Sequence, residues 1–202
     1  MTRCCVGEDN HLSISVFRKK NQIVMLRYIN TDIVFQEFPD EVTLAINISG
    51  CPCRCPACHS QFLWANRGDE LTAEALSALI HGAKDTITYV GFMGGDGDPA
   101  AVDLLAKYVQ ERHNGLKVGW YTGRTAISPL INQQHFDYIK VGAYLRHLGG
   151  LDSPHTNQRM YRRCTDGNFE DITSRFWTHQ IGNNLCMLNI SLQFLGLVMK
   201  KV

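Results

Sequence analysis

The sequence predicts an α/β fold, a partial (β/α) barrel of parallel strands with helices packed outside. Three observations predict it. A pattern of strand, loop and helix recurs four times, and alternation of this kind implies parallel strands joined by right-handed crossovers. Four such units are too few to close an eight-stranded barrel. Each strand runs into a loop carrying glycine or cysteine, and the C-terminal rim of such sheets is where ligands bind.

The first of these strands spans 42–48, where Val42, Leu44, Ile46 and Ile48 alternate with Thr43, Ala45 and Asn47. A helix over 71–83 follows, with Leu71, Ala75, Leu76, Leu79 and Ile80 forming one apolar stripe. The second strand, 86–92, ends in Met93-Gly94-Gly95-Asp96. Asp98-Pro99 reads as a cap and first turn of a helix that carries Val102, Leu105, Tyr108 and Val109 inward and stops at Asn114-Gly115. The third strand, 117–121, runs into Thr122-Gly123-Arg124; a helical or turn segment follows near 127–134, and the fourth strand, 136–141, runs into Gly142.

The recurring pattern occupies residues 42–142. The extension 1–24 is polar and mixed, with one short strand pattern at 12–17. Met25 is a candidate translation start, the alternative being that the extension adds an edge strand. The tail 179–202 is apolar over 185–199 but interrupted by Asn189, Ser191 and Gln193, and is shorter than the roughly 20 residues that cross a bilayer. It is expected either to pack on the open edge of the barrel or to stand outside the fold.

At 202 residues with 45% hydrophobic content, one sizeable core is the expectation. Twenty basic against nineteen acidic residues leave a formal charge of +1, so neither nucleic-acid nor membrane binding is expected from charge. The N-terminus lacks the apolar stretch of a signal peptide, and the cysteine usage suits a reducing compartment; the expected location is the cytoplasm.

Four of the eight cysteines fall between residues 51 and 58. Cys51, Cys55 and Cys58 form C-x3-C-x2-C, three thiolates on one loop, each able to reach a different corner of an iron-sulfur cube. An ordinary 4Fe-4S cluster takes four cysteines; three leave one iron free for a substrate, much as a catalytic zinc keeps one position open. A structural zinc site is the competing reading, although such sites usually pair two separated CxxC-like motifs. Cys53, midway between Cys51 and Cys55, is a candidate fourth ligand, but that placement favours a bystander. Cys4-Cys5, Cys164 and Cys186 match no ligand spacing. Trp64 is expected in the core.

The cysteine spacing resembles the signature of radical S-adenosylmethionine enzymes. Together with Cys58-His59, Trp64, Gly94-Gly95-Asp96, Trp120-Tyr121-Thr122-Gly123, the run from Asp137 to Gly142, and Thr156-Asn157-Gln158-Arg159, it resembles the activating proteins of anaerobic ribonucleoside-triphosphate reductases, over about residues 25–178. The resemblance implies one 4Fe-4S cluster on Cys51, Cys55 and Cys58, with S-adenosylmethionine held at the free iron. Gly94, Gly95 and Asp96 would meet its methionine amino group, and Ala57, Cys58 and His59 would flank it, with His59 near the adenine. It further implies reductive cleavage to methionine and a 5'-deoxyadenosyl radical, a flavodoxin-type electron donor, and hydrogen abstraction from a glycine of a reductase partner. No proton-transfer residue is required, so no catalytic side chain is named. Arg124 is a candidate for substrate or partner contact. The alternatives are a small radical enzyme of the same kind with another substrate, and a zinc-binding interaction module without turnover.

Overall fold

The computed structural model describes residues 26–177. The expected strand at 12–17, the Cys4-Cys5 pair, Cys186 and the apolar tail lie outside the described residues.

The elements run β1 (Arg27–Val34), β2 (Thr43–Ile48), β3 (Asp69–Glu70), α1 (Ala73–Ala83), β4 (Tyr89–Met93), α2 (Pro99–Arg112), β5 (Lys117–Tyr121), β6 (Tyr138–Val141), β7 (Arg159–Arg163) and β8 (Phe169–Asp171). The strands form one mixed sheet in the order β3-β1-β2-β4-β5-β6-β7-β8. Its centre, β2-β4-β5-β6, is parallel as expected. Both flanks are antiparallel, and the outermost strands β3 and β8 do not pair with each other. The expectation of parallel strands throughout is therefore corrected: an antiparallel strand can reach its neighbour through a short connection, without a crossover helix.

Nor do four helices follow four strands. Among the described residues there are two α-helices, and the β5–β6 connection contains only a 3-10 turn, Gln133–His135. That connection carries Gly123 and Pro129 and no apolar stripe at helical spacing, so it has no face to bury as a helix would.

The two helices form where caps and apolar faces coincide. Thr72 Oγ1 accepts from Ala75 N at 3.1 Å and starts α1; Leu71, expected inside the helix, is buried just before it. Asp98 accepts from Ala101 N at 3.0 Å, with Pro99 in the first turn of α2. Leu76 and Ile80 of α1, and Val102, Leu105, Ala106 and Val109 of α2, pack on Leu44, Ile46, Ile48, Val90, Phe92, Val118, Trp120 and Ile139. Fully burying one such aliphatic or aromatic side chain is worth roughly 1.5–3 kcal/mol, so this layer is the main source of stability.

The opposite face is also covered, as parallel strands require. Phe38, in the β1–β2 connection, lies fully buried over β4 and β5, with its ring 4.5 Å from that of Tyr89 and 5.2 Å from that of Tyr121. Gly91 and Gly119 are paired neighbours beneath it. A methyl group on Gly119 would come within 2.4 Å of Phe38 Cε1 and 2.6 Å of the Tyr89 hydroxyl. Gly119→Ala is accordingly expected to destabilise the chain by about 1–3 kcal/mol through overpacking, read as a lower urea midpoint with an unchanged slope.

Candidate metal and cofactor site

At the C-terminal ends of the parallel strands the register aligns Asn47, Met93, Tyr121 and Lys140 in one row across the sheet. All four line a cavity of about 1120 Å³. Its walls also carry Cys51, Cys53, Cys55, Cys58, His59, Trp64, Gly94, Asp96 and Tyr144. A second hollow, about 490 Å³, lies between β1, β2 and α1, but it is lined mainly by aliphatic and small residues and holds no cysteine or histidine. The opposite end of the sheet has its own buried carboxylate, Glu41, which is satisfied by Thr88 Oγ1 at 2.7 Å and by Lys117. The chemistry-bearing side chains thus converge on the first cavity.

The cysteine loop leaves β2 through Gly50 and is tied to the following segment by Cys51 N–H to Leu63 O at 3.0 Å. Within it, Cys58 N–H donates to Cys55 O at 3.0 Å across Pro56-Ala57. Ala57 has φ +63°. Pro at the second position and a positive φ at the third are the pattern of a type II turn, which favours glycine where Ala57 stands. A left-handed L-residue costs roughly 1–2 kcal/mol, partly offset in glycine by its greater unfolded freedom. Ala57→Gly should therefore stabilise the chain by about 0.5–1 kcal/mol in thermal denaturation, without loss of any loop hydrogen bond.

All four loop cysteines are unpaired thiols. Cys55 is buried, and Cys58 Sγ accepts from Ser60 N at 3.3 Å. Cys53, expected as a bystander, stands in the cavity wall against Gly123, where an added methyl would meet its Sγ at 2.9 Å. Burial, reinforced by Asp96 and Cys51, pushes its thiol up to about 12, with Arg124 pulling the other way. The Arg124 side chain is otherwise exposed.

Asp96 is buried, its carboxylate accepting from Thr122 Oγ1 and from Gly123 N at 3.2 Å. Gly94 lines the cavity, but its N–H donates to Tyr121 O at 3.0 Å and its carbonyl accepts from Trp120 Nε1 at 2.7 Å. Gly95 is buried away from the cavity, and a Cβ there would strike Val102 at 2.5 Å. Close packing against α2 and Ile48 accounts for this glycine pair, and Asp96 is the member of the trio whose side-chain charge faces the cavity wall. Asp98 is the helix cap that the sequence suggested.

Several contributors went unread in the sequence. Lys140 is buried, donates to Gly142 O at 2.7 Å, and lies over the Tyr121 ring at 5.7 Å. Burial pulls its ammonium down to about 8, opposed by Cys55, Asp96, Glu37 and Cys58, so it remains mostly a cation at neutral pH. Tyr144 stands with its ring centroid 4.8 Å from that of His59, giving the cavity two rings from two loops. Trp64, expected in the core, is in the cavity wall, its Nε1 buried without a partner among the described residues.

These features fit a cluster and an attached ligand: three thiols on a hydrogen-bonded loop, an orphaned indole donor, and room beyond the thiols. A family described as "4Fe-4S single cluster domain" matches residues 42–142. The chain belongs to that family. The matched span runs from the start of β2 to the loop after β6, the segment that carries the cysteine loop, Asp96 and Lys140. No curated protein matches this member of the 4Fe-4S single cluster family. Among solved structures, that of QueE from Escherichia coli is similar at 15% identity, over 88% of this chain and 80% of that one, with a TM-score of 0.44. Among the described residues no helix is long and apolar enough to cross a membrane.

Proposed function

We propose that this 4Fe-4S protein is a radical S-adenosylmethionine enzyme that installs a glycyl radical on an anaerobic ribonucleoside-triphosphate reductase. The observation that carries the reading is the convergence of Cys51, Cys55 and Cys58 on one cavity with room left for a ligand. When bound, the cluster supplies one electron to the sulfonium of S-adenosylmethionine, whose cleavage gives methionine and the carbon radical that takes a hydrogen atom from the partner's glycine.

The chain's own residues bind and position. Cys51, Cys55 and Cys58 would hold the cluster, and a three-cysteine ligand set would leave it able to bind the methionine moiety. Asp96, its carboxylate oriented by Thr122 and Gly123, retains lone pairs for the ammonium, with Gly94 beside it in the cavity wall and the buried Gly95 fixing the turn. His59 and Tyr144 supply flat faces for the adenine, since rings and bases stack with little sequence of contacts to satisfy. Ala57 shapes the turn that presents Cys58. Lys140 provides a buried positive charge among the thiols, and the Trp64 N–H is a donor still to be used. The electron is expected from a flavodoxin-type donor.

Anaerobic reconstitution with iron, sulfide, dithionite and S-adenosylmethionine tests this reading. Stoichiometric 5'-deoxyadenosine, and a glycyl signal by electron paramagnetic resonance only when the reductase is added, are the expected results. Cleavage without any glycyl signal would redirect the proposal to another substrate, and no cleavage would end it.

A further inference from the structure

The geometry points to a second metal site, for one thiophilic divalent cation, built from Cys51 Sγ, Cys53 Sγ and the Asp96 carboxylate. The ligand atoms of these three residues all lie within 4.8 Å of one another, the only such group of three among the described residues. The proposed cluster trio forms no group this tight, as three thiolates on separate corners of a cube must stand further apart than three ligands of one ion. Two thiolates and a carboxylate around a tetrahedral ion would be about 3.5–3.8 Å apart at ordinary zinc bond lengths, so small rotamer changes would close the site.

The surroundings are those of a built site. Asp96 is buried, with its oxygens oriented by Thr122 Oγ1 and Gly123 N, the kind of outer support that fixes a ligating carboxylate. Gly123, which has no side chain, leaves the space that Cys53 occupies: a methyl group there would meet Cys53 Sγ at 2.9 Å. The donor set of two sulfurs and one oxygen suits zinc or ferrous ion and leaves a fourth position for water. Binding releases both thiol protons to solvent, so two thiolates, one carboxylate and a dication leave one net negative charge, and affinity rises with pH. The site borrows Cys51, so a chain holding the single ion lacks one of its proposed cluster ligands. Single-ion binding and cluster binding are then mutually exclusive states of the same loop.

The test uses the full chain, purified anaerobically and free of iron, with cobalt(II) as the probe and zinc(II) as competitor. One cobalt per chain with sulfur-to-metal charge-transfer absorption is expected, displaced by zinc. Cys53→Ser should weaken cobalt binding at least about tenfold, whereas Cys55→Ser and Cys58→Ser should change it less than twofold. Cys53→Asp keeps a third anionic ligand, so it should still bind one ion with roughly half the charge-transfer intensity, which distinguishes a lost ligand from a lost fold. Equal weakening by Cys53→Ser and Cys58→Ser, or cobalt bound without thiolate absorption, would overturn the assignment. The site does not rest on the proposed radical chemistry. Iron and sulfide loading of Cys53→Ser reports on the cluster separately, and is expected to match the parent chain.

Discussion

Cys55→Ala, reconstituted anaerobically, is expected to carry less than one iron per chain where the parent carries about four, and to lose S-adenosylmethionine cleavage by at least about a hundredfold. Cys55 is the informative member of the proposed trio because it is buried and its carbonyl closes the turn to Cys58. Alanine preserves that backbone hydrogen bond and removes only the sulfur. The buried volume lost is small, so the cost to the fold should stay near 1 kcal/mol, and far-ultraviolet circular dichroism should be unchanged. Loss of iron on a folded chain therefore isolates ligation. The experiment also separates the two metal states: the same variant should keep its affinity for a single cobalt ion, since Cys51, Cys53 and Asp96 remain. Full iron content and undiminished 5'-deoxyadenosine in Cys55→Ala would remove the basis for reading Cys51, Cys55 and Cys58 as cluster ligands.

The central strands were legible because β2 alternates, the others are short apolar runs, and each ends in a glycine or cysteine loop. The Asp98-Pro99 helix start was legible because capping is local chemistry, needing only a carboxylate three residues before an N–H. The flanking strands were not. Arg159, Arg162 and Arg163 in β7 are partly solvent-facing and paired with Asp171, Glu170 and Asp137, so only Met160 signals a buried side, and the strand exists by pairing with β6. Thr43 and Ala45 looked like an outward face, yet both are buried. What covers this side of the sheet includes Phe38, five residues before Thr43 but belonging to no periodic pattern. In the site, the spacing of the cysteines picked out the loop, but spacing cannot say which sulfurs approach each other. Cys53 looked idle because it falls between two members of a motif, and only the meeting of that loop with Gly123 and Asp96 puts it beside Cys51. Lys140 was hidden in the run Tyr138-Ile139-Lys140-Val141, where a lysine in an apolar strand reads as an edge residue. The signal available was its place near the C-terminal end of its strand, in the row where β2, β4 and β5 present Asn47, Met93 and Tyr121 to the same cavity.

That position makes Lys140→Met the sharpest probe of the cavity's electrostatics. Methionine fills nearly the same volume and keeps the contact with Tyr121, while deleting a buried cation that is held by Gly142 O and surrounded by Cys55, Cys58, Asp96 and Glu37. A cluster on three thiolates becomes more negative on reduction, and a fixed positive charge nearby favours the reduced form. A unit charge several ångströms away, at an effective dielectric of about 20, is worth roughly 2 kcal/mol, which for one electron corresponds to on the order of 90 mV. The Lys140→Met chain is expected to reach its reduced state at a midpoint potential lower by about 50–100 mV, with iron content unchanged, as measured by anaerobic redox titration of the cluster's paramagnetic signal. Net charge and hydrogen bonding are among the levers by which a protein sets such potentials, and the variant changes the first without touching a ligand. Lys140→Arg supplies the control: it restores the charge on a longer, forked side chain, so the potential should recover by more than half even if the hydrogen bond to Gly142 does not re-form. An unchanged potential in Lys140→Met would place the ammonium too far from the electron to matter, and would leave Lys140 a structural tether between β6 and Gly142.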